Sequence, residues 1–147
     1  MQIRIYVPRG APLISQNLFL HDSSGYVIQL DVGSWDTDIL NNTFVENGVG
    51  ILVREQTIVA RNIFYNTATA AVVLAGLFGS NACCSAVCSD VSCNVYWQGW
   101  LPNGGSCLEG VNSVIANPYF CDISSEDFHL SAQSPAAPTN NACNLLI

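Results

Sequence analysis

The chain contains no lysine, one methionine and two histidines in 147 residues. Its permanent cations are Arg4, Arg9, Arg54 and Arg61, set against eleven acids for a net charge of -7. Neutralising phosphates needs many basic side chains, so this shortage argues against nucleic-acid binding. It argues equally against docking on anionic membranes. No apolar run reaches about 18 residues, so no membrane-spanning helix is expected. The opening MQIRIYVPRG lacks the apolar core of a signal peptide. GxSxG, HExxH, phosphate-loop and dinucleotide fingerprints are all missing. Charged residues make up only 10% of the chain, well below the roughly 25% of an average globular protein.

What is abundant is apolar surface, at 50% of residues, and cysteine, at seven. All four arginines precede residue 62, and all seven cysteines (Cys83, Cys84, Cys88, Cys93, Cys107, Cys121 and Cys143) follow residue 82. Seven cysteines in a short chain point to an oxidising compartment, with zinc as the competing use. The cluster NACCSAVCSDVSC lacks the paired Cys-x2-Cys of a zinc ribbon. It reads instead as a disulfide-stapled insertion, with disulfides fastening the loops 79–90 and 100–121. Connectivity stays open, and an odd count leaves one thiol over.

A repeat organises the rest. ISQNLFLHD, ILNNTFVEN and VARNIFYN each place an aromatic two residues after an asparagine, and VSCNVYWQG is a weaker fourth copy. The asparagines are Asn17, Asn42, Asn62 and Asn94; the aromatics are Phe19, Phe44, Phe64 and Tyr96. Short stretches rich in Val, Ile and Phe, bounded by Asn, Gly, Asp and Ser, are strands and turns. No window sustains a 3.6-residue period, and the leucine scaffold of a leucine-rich repeat is missing. The pattern predicts an all-β parallel solenoid of about four coils, in which equivalent residues stack about 4.8 Å apart. Asparagine amides would then form a ladder at a turn and the rings a stack inside. An antiparallel sandwich with accidental recurrence is the competing architecture.

These segments resemble the coils of right-handed parallel β-helix proteins of the pectate-lyase-like superfamily. Asn117-Pro118-Tyr119-Phe120, Asp127-Phe128-His129-Leu130 and Ser134-Pro135-Ala136 are similar to the closing segment of bacterial secreted members. Asn117 replaces the usual aspartate, and Ala137-Pro138-Thr139 departs from the common continuation. The resemblance covers roughly residues 12–147 and is specific for architecture rather than activity. It implies one domain over 1–147: cysteine-free coils over 1–78, a cysteine-rich insertion and last coil over 79–116, and an irregular closing segment over 117–147. It further implies a C-terminal fragment of a longer, extracellular or cell-surface protein, whose signal peptide lay upstream. The uncapped first coil would offer an edge for end-to-end association.

For chemistry, the acidic loop Asp31, Trp35, Asp36 and Asp38 is the expected site. Stacking Ile51 on Ile28 would set Arg54 beside Asp31, leaving Trp35 as a sugar platform. The resemblance implies carboxylate-bound Ca²⁺ and an arginine base for a lyase, or two carboxyls for a glycosidase. A solvated turn with an inter-coil salt bridge explains the same residues. No metal site is assigned. His21 reads as turn chemistry beside Asp22, and His129 as an outward strand residue remote from it. Asn41-Asn42-Thr43 is a glycosylation sequon. The expected function is a noncatalytic carbohydrate- or partner-binding face. The alternative is part of a polysaccharide lyase or glycoside hydrolase acting on acidic polysaccharides.

Overall fold

The computed structural model describes residues 5–23, 25–31, 34, 36–53, 56–74, 90–99 and 110–144. The first coil runs through β1 (Ile5–Val7), β2 (Leu13–Ser15) and β3 (Leu18–Leu20). The second uses β4 (Tyr26–Leu30), β5 (Thr37–Leu40) and β6 (Thr43–Val45), and the third β7 (Val49–Val53), β8 (Thr57–Ala60) and β9 (Ile63–Tyr65). The fourth has β10 (Ala70–Leu74), β11 (Asp90–Ser92) and β12 (Val95–Trp97); β13 (Val114–Ile115) begins a partial fifth.

Equivalent strands pair in parallel into three sheets, ordered β1-β4-β7-β10, β11-β8-β5-β2 and β13-β12-β9-β6-β3. The fold is therefore an all-β parallel solenoid, and the expected coil number holds. Among the described residues there is no α-helix. No described helix is long and apolar enough to cross a membrane.

Alternation along each short strand sends one set of side chains inward. In register, Ile14, Ile39, Val59 and Val91 form one buried column on the second sheet. Ile28 aligns with Ile51 on the first sheet, and both are buried. Phe19, Phe44, Phe64 and Tyr96 stack on the third, with centroid spacings of 4.9, 4.8 and 5.4 Å. Such stacked pairs add about 0.5–1.5 kcal/mol each beyond area burial. The core is a column, which is why half of a chain this short is apolar.

The corners are polar. Between the second and third sheets the chain turns through a left-handed residue, Gln16, Asn41, Arg61, Cys93 or Asn112, each with φ between 55° and 60°. A left-handed L-residue costs about 1–2 kcal/mol, so the turn needs compensation. The next residue supplies it. Asn17, Asn42 and Asn62 each donate, from Nδ2, to the Oδ1 of the following asparagine at 3.0, 3.1 and 3.2 Å. Their backbone N–H groups donate to the same oxygens at 3.1, 2.9 and 2.8 Å.

The asparagine column extends one rung further than the repeat predicts, because Ser113 Oγ accepts from Asn94 N at 3.1 Å. A second corner carries Asp22, Asn47 and Thr67, all buried; Asn47 Oδ1 accepts from Asp22 N at 2.9 Å. Gly99 continues that column, where a Cβ would come within 2.5 Å of Thr67 N. At the third corner the buried hydroxyl of Thr37 donates to Ser34 O at 3.0 Å, and Thr57 lies in register with Thr37.

The segment after the last coil folds back. β14 (Phe120–Asp122) and β15 (Asp127–Leu130) form an antiparallel hairpin through a short 3-10 turn. Phe120, Leu130 and Ala136 pack on Ile63 and Val95, covering the outer face of the third sheet over the third and fourth coils. Phe120 also meets Tyr65 and Phe128 edge-on, at 5.7 and 5.4 Å. Cys143, near the end of this strap, is disulfide-bonded to Cys93 with Cα atoms 6.1 Å apart.

Candidate functional site

The expected acidic site is only partly within the described residues: Trp35 and Arg54 lie outside them. Asp31 directly follows β4, half-buried, with its N–H donating to Val7 O at 3.1 Å and its Oδ2 accepting from the Tyr6 hydroxyl at 2.7 Å. Asp36 occupies an exposed left-handed turn, its N–H donating to Gln56 O. Asp38 stands within β5, in register with the outward Leu13 and Ile58. Among the described residues no three His, Cys, Asp or Glu side chains converge as a metal-ligand group.

Cys83, Cys84, Cys88 and Cys107 also fall outside the described residues. Of the rest, Cys93 and Cys143 are paired, while Cys121 is exposed and unpaired. The Cys93–Cys143 bond joins the fourth coil to the strap, which differs from stapling within the loops 79–90 and 100–121. The Asn and aromatic residues named from the repeat are core and corner structure.

The strap creates a concave surface that sequence reasoning missed. A groove of about 700 Å³ runs between the second-to-third-sheet corner and β15. One wall is Gln16, Asn17, Leu18, Asn41, Thr43 and Arg61; the other is Glu126, Asp127, Phe128 and His129. The left-handed corner places Gln16, Asn41 and Arg61 one above another, which lines up three long or amide side chains on successive coils. Leu18, on the first coil, opens into this groove at 48% exposure, while the strap's apolar plug covers the third and fourth coils.

Local hydrogen bonds hold the strap wall in shape. Asp127 Oδ1 accepts from the backbone N–H of His129 and contacts its ring Nδ1. The side-chain bond from His129, above all, keeps the Asp127 carboxyl below its ordinary value. Asp122 is likewise lowered, chiefly by the Ser124 hydroxyl and then Ser125. His129 is 91% exposed, as its strand position predicts.

His21 takes a left-handed turn with φ 55°. Its Nδ1 lies 2.9 Å from Glu46 Oε2 and its Nε2 3.9 Å from Glu126 Oε1. The strap brings Glu126, three residues before His129, within 3.9 Å of His21 on the first coil. Arg61 makes no ion pair with another described residue.

Deeper in the stack, the buried Tyr96 hydroxyl sits beside Asn94 and Ser113 but makes no hydrogen bond among the described residues. Burial pushes its pKa far above the ordinary tyrosine value. The chain matches no protein-family model, no curated protein and no solved structure.

Proposed function

We propose that this chain is a noncatalytic, glycan-binding segment of a secreted or cell-surface β-helix protein. The groove carries the reading. Its amides Gln16, Asn17 and Asn41, the Thr43 hydroxyl, the Arg61 guanidinium and the Phe128 ring line one trough. Sugars offer hydroxyls that both donate and accept, plus apolar C–H faces. Amides and hydroxyls answer the first, and an aromatic ring answers the second. Membership of the pectate-lyase-like superfamily is part of the proposal and rests on the Asn-x-Phe coils and the Asn-Pro-Tyr-Phe closing segment. An extracellular location rests on the Cys93–Cys143 bond.

Titration calorimetry against a panel of neutral and acidic oligosaccharides tests the reading. At least one should bind, and Arg61→Ala and Phe128→Ala should each weaken it tenfold or more. Asp38→Ala, on another face, should leave affinity unchanged. Absence of binding across the panel at millimolar concentrations sinks the proposal.

A second reading is favoured by Glu126, Asp127 and His129 sharing one groove wall. It makes the chain part of a polysaccharide lyase or glycoside hydrolase, with carboxyls as acid and base. It requires release of unsaturated or reducing ends from an acidic polysaccharide, abolished by Glu126→Gln. Binding without turnover leaves the noncatalytic reading in place.

A further inference from the structure

We infer that the Cys93–Cys143 disulfide is a redox latch on the groove: it holds the strap that forms one wall, and its reduction opens the site. The ligand consequence rests on the groove reading above; the opening itself does not. Among the described residues β14 and β15 pair only with each other and join none of the three solenoid sheets. Among the described residues no backbone-to-backbone hydrogen bond ties 117–144 to the coils. A lone two-stranded hairpin is marginal in water.

The described attachments are few. Phe120, Leu130 and Ala136 plug onto Ile63 and Val95, and Phe120 also meets the Tyr65 ring edge-on. His21 reaches Glu126 at 3.9 Å, between side chains that are half or more exposed, a contact of little worth in water. Cys143 Sγ lies near Asn112 O. Among the described residues the disulfide is the one side-chain covalent tie between strap and coils, closing a sequence separation of 50. Closing a longer loop removes more chain entropy from the unfolded state. Its anchor also sits at the groove's own corner, since Cys93 follows Arg61 in the left-handed column.

The chemistry is ordinary thiol–disulfide exchange with a dithiol reductant. A reductant thiolate attacks one Sγ, the S–S bond breaks, and the other cysteine leaves as a thiolate and takes up a proton. The second reductant thiol then displaces the mixed disulfide. The protein gains two electrons and two protons as two thiols, and the reductant departs as a disulfide.

Hydrogen-exchange mass spectrometry tests the latch without any ligand, on the oxidised chain, the chain reduced with dithiothreitol, and Cys143→Ser. Amides of Phe120–Leu130 should exchange tenfold or more faster in the last two, while Phe44–Val45 and Phe64–Tyr65 stay protected. Cys121→Ser should behave like the oxidised chain. If Cys143→Ser fails to fold, the reduced native chain decides, and reoxidation should restore protection.

Unchanged exchange of Phe120–Leu130 on reduction overturns the inference, whatever the glycan panel shows. Where an oligosaccharide from that panel binds, its affinity should fall tenfold or more on reduction. An equal affinity also overturns the latch, while a panel that binds nothing counts against the glycan reading alone.

Discussion

Asn62 donates to one oxygen of Asn94 twice, from its backbone N–H at 2.8 Å and from its Nδ2 at 3.2 Å. Its own Oδ1 receives the same pair of bonds from Asn42. Each interior asparagine thus satisfies a corner N–H that the left-handed turn has withdrawn from the sheets. Nδ2 of Asn62 also reaches Ile39 O and Ala60 O.

Removing one interior member strands several buried groups at once. Asn62→Ala should cost about 3 kcal/mol or more, since each unsatisfied buried donor or acceptor costs about 1–3 kcal/mol. Asn17→Ala, at the exposed end, should cost about 1 kcal/mol or less. Urea denaturation of the two variants checks the ordering; equal losses would refute the ladder account.

The fourth ring of the aromatic stack carries a hydroxyl that its phenylalanine neighbours lack. Among the described residues that buried hydroxyl makes no hydrogen bond, though Asn94 and Ser113 lie beside it. Tyr96→Phe should stabilise the chain by about 1 kcal/mol, by removing a desolvated group while keeping the stack. A lower melting temperature for Tyr96→Phe would show that the hydroxyl is satisfied in solution.

Gly50 is required by close approach, not by its φ. A Cβ there would come 2.4 Å from Ala71 O and 2.9 Å from the Phe64 ring. Gly50→Ala should therefore destabilise by about 2–3 kcal/mol, as overpacking in a close-packed core does. The check is the denaturation midpoint together with near-ultraviolet circular dichroism of the ring stack.

The strap hairpin should be acid-sensitive. Asp122 and Asp127 are both lowered, by the Ser124 hydroxyl and the His129 ring respectively. A lowered folded value means their contribution is present above the ordinary aspartate pKa of about 3.9 and is lost as pH falls through the folded value. Tyr96 runs the other way: its value is raised by burial, so stability is full below the ordinary tyrosine value of about 10 and declines as pH rises past it. Protection factors at Phe120–Leu130, corrected for the intrinsic pH dependence of exchange, should fall on acidification before those of the coil strands. Simultaneous loosening would contradict the assignment.

The coils were legible because Asn and Phe are both demanded by their places. An amide bridges two rungs with a separate donor and acceptor atom, and a flat ring stacks face to face at rung spacing. Where several side chains serve, the pattern blurs. Asp22, Asn47, Thr67 and Gly99 form one column with no shared letter, and Ser113 ends the ladder with a hydroxyl. The acidic stretch from Asp31 to Asp38 stood out by composition, yet its described members divide between a strand end, a turn and the second sheet. The groove was illegible for another reason. Its walls come from residues 16–61 and 126–129, and only the fold-back of the strap makes them neighbours.

A stack of near-identical rungs invites slippage, since moving the chain by one coil would again set Asn on Asn and Phe on Phe. The steps of 25, 20 and 32 residues between ladder asparagines remove that degeneracy. A shifted register would force each excursion to span the wrong gap, and it would carry Cys93 away from Cys143. Unequal coil lengths act like the uneven teeth of a key, giving a repetitive chain one alignment.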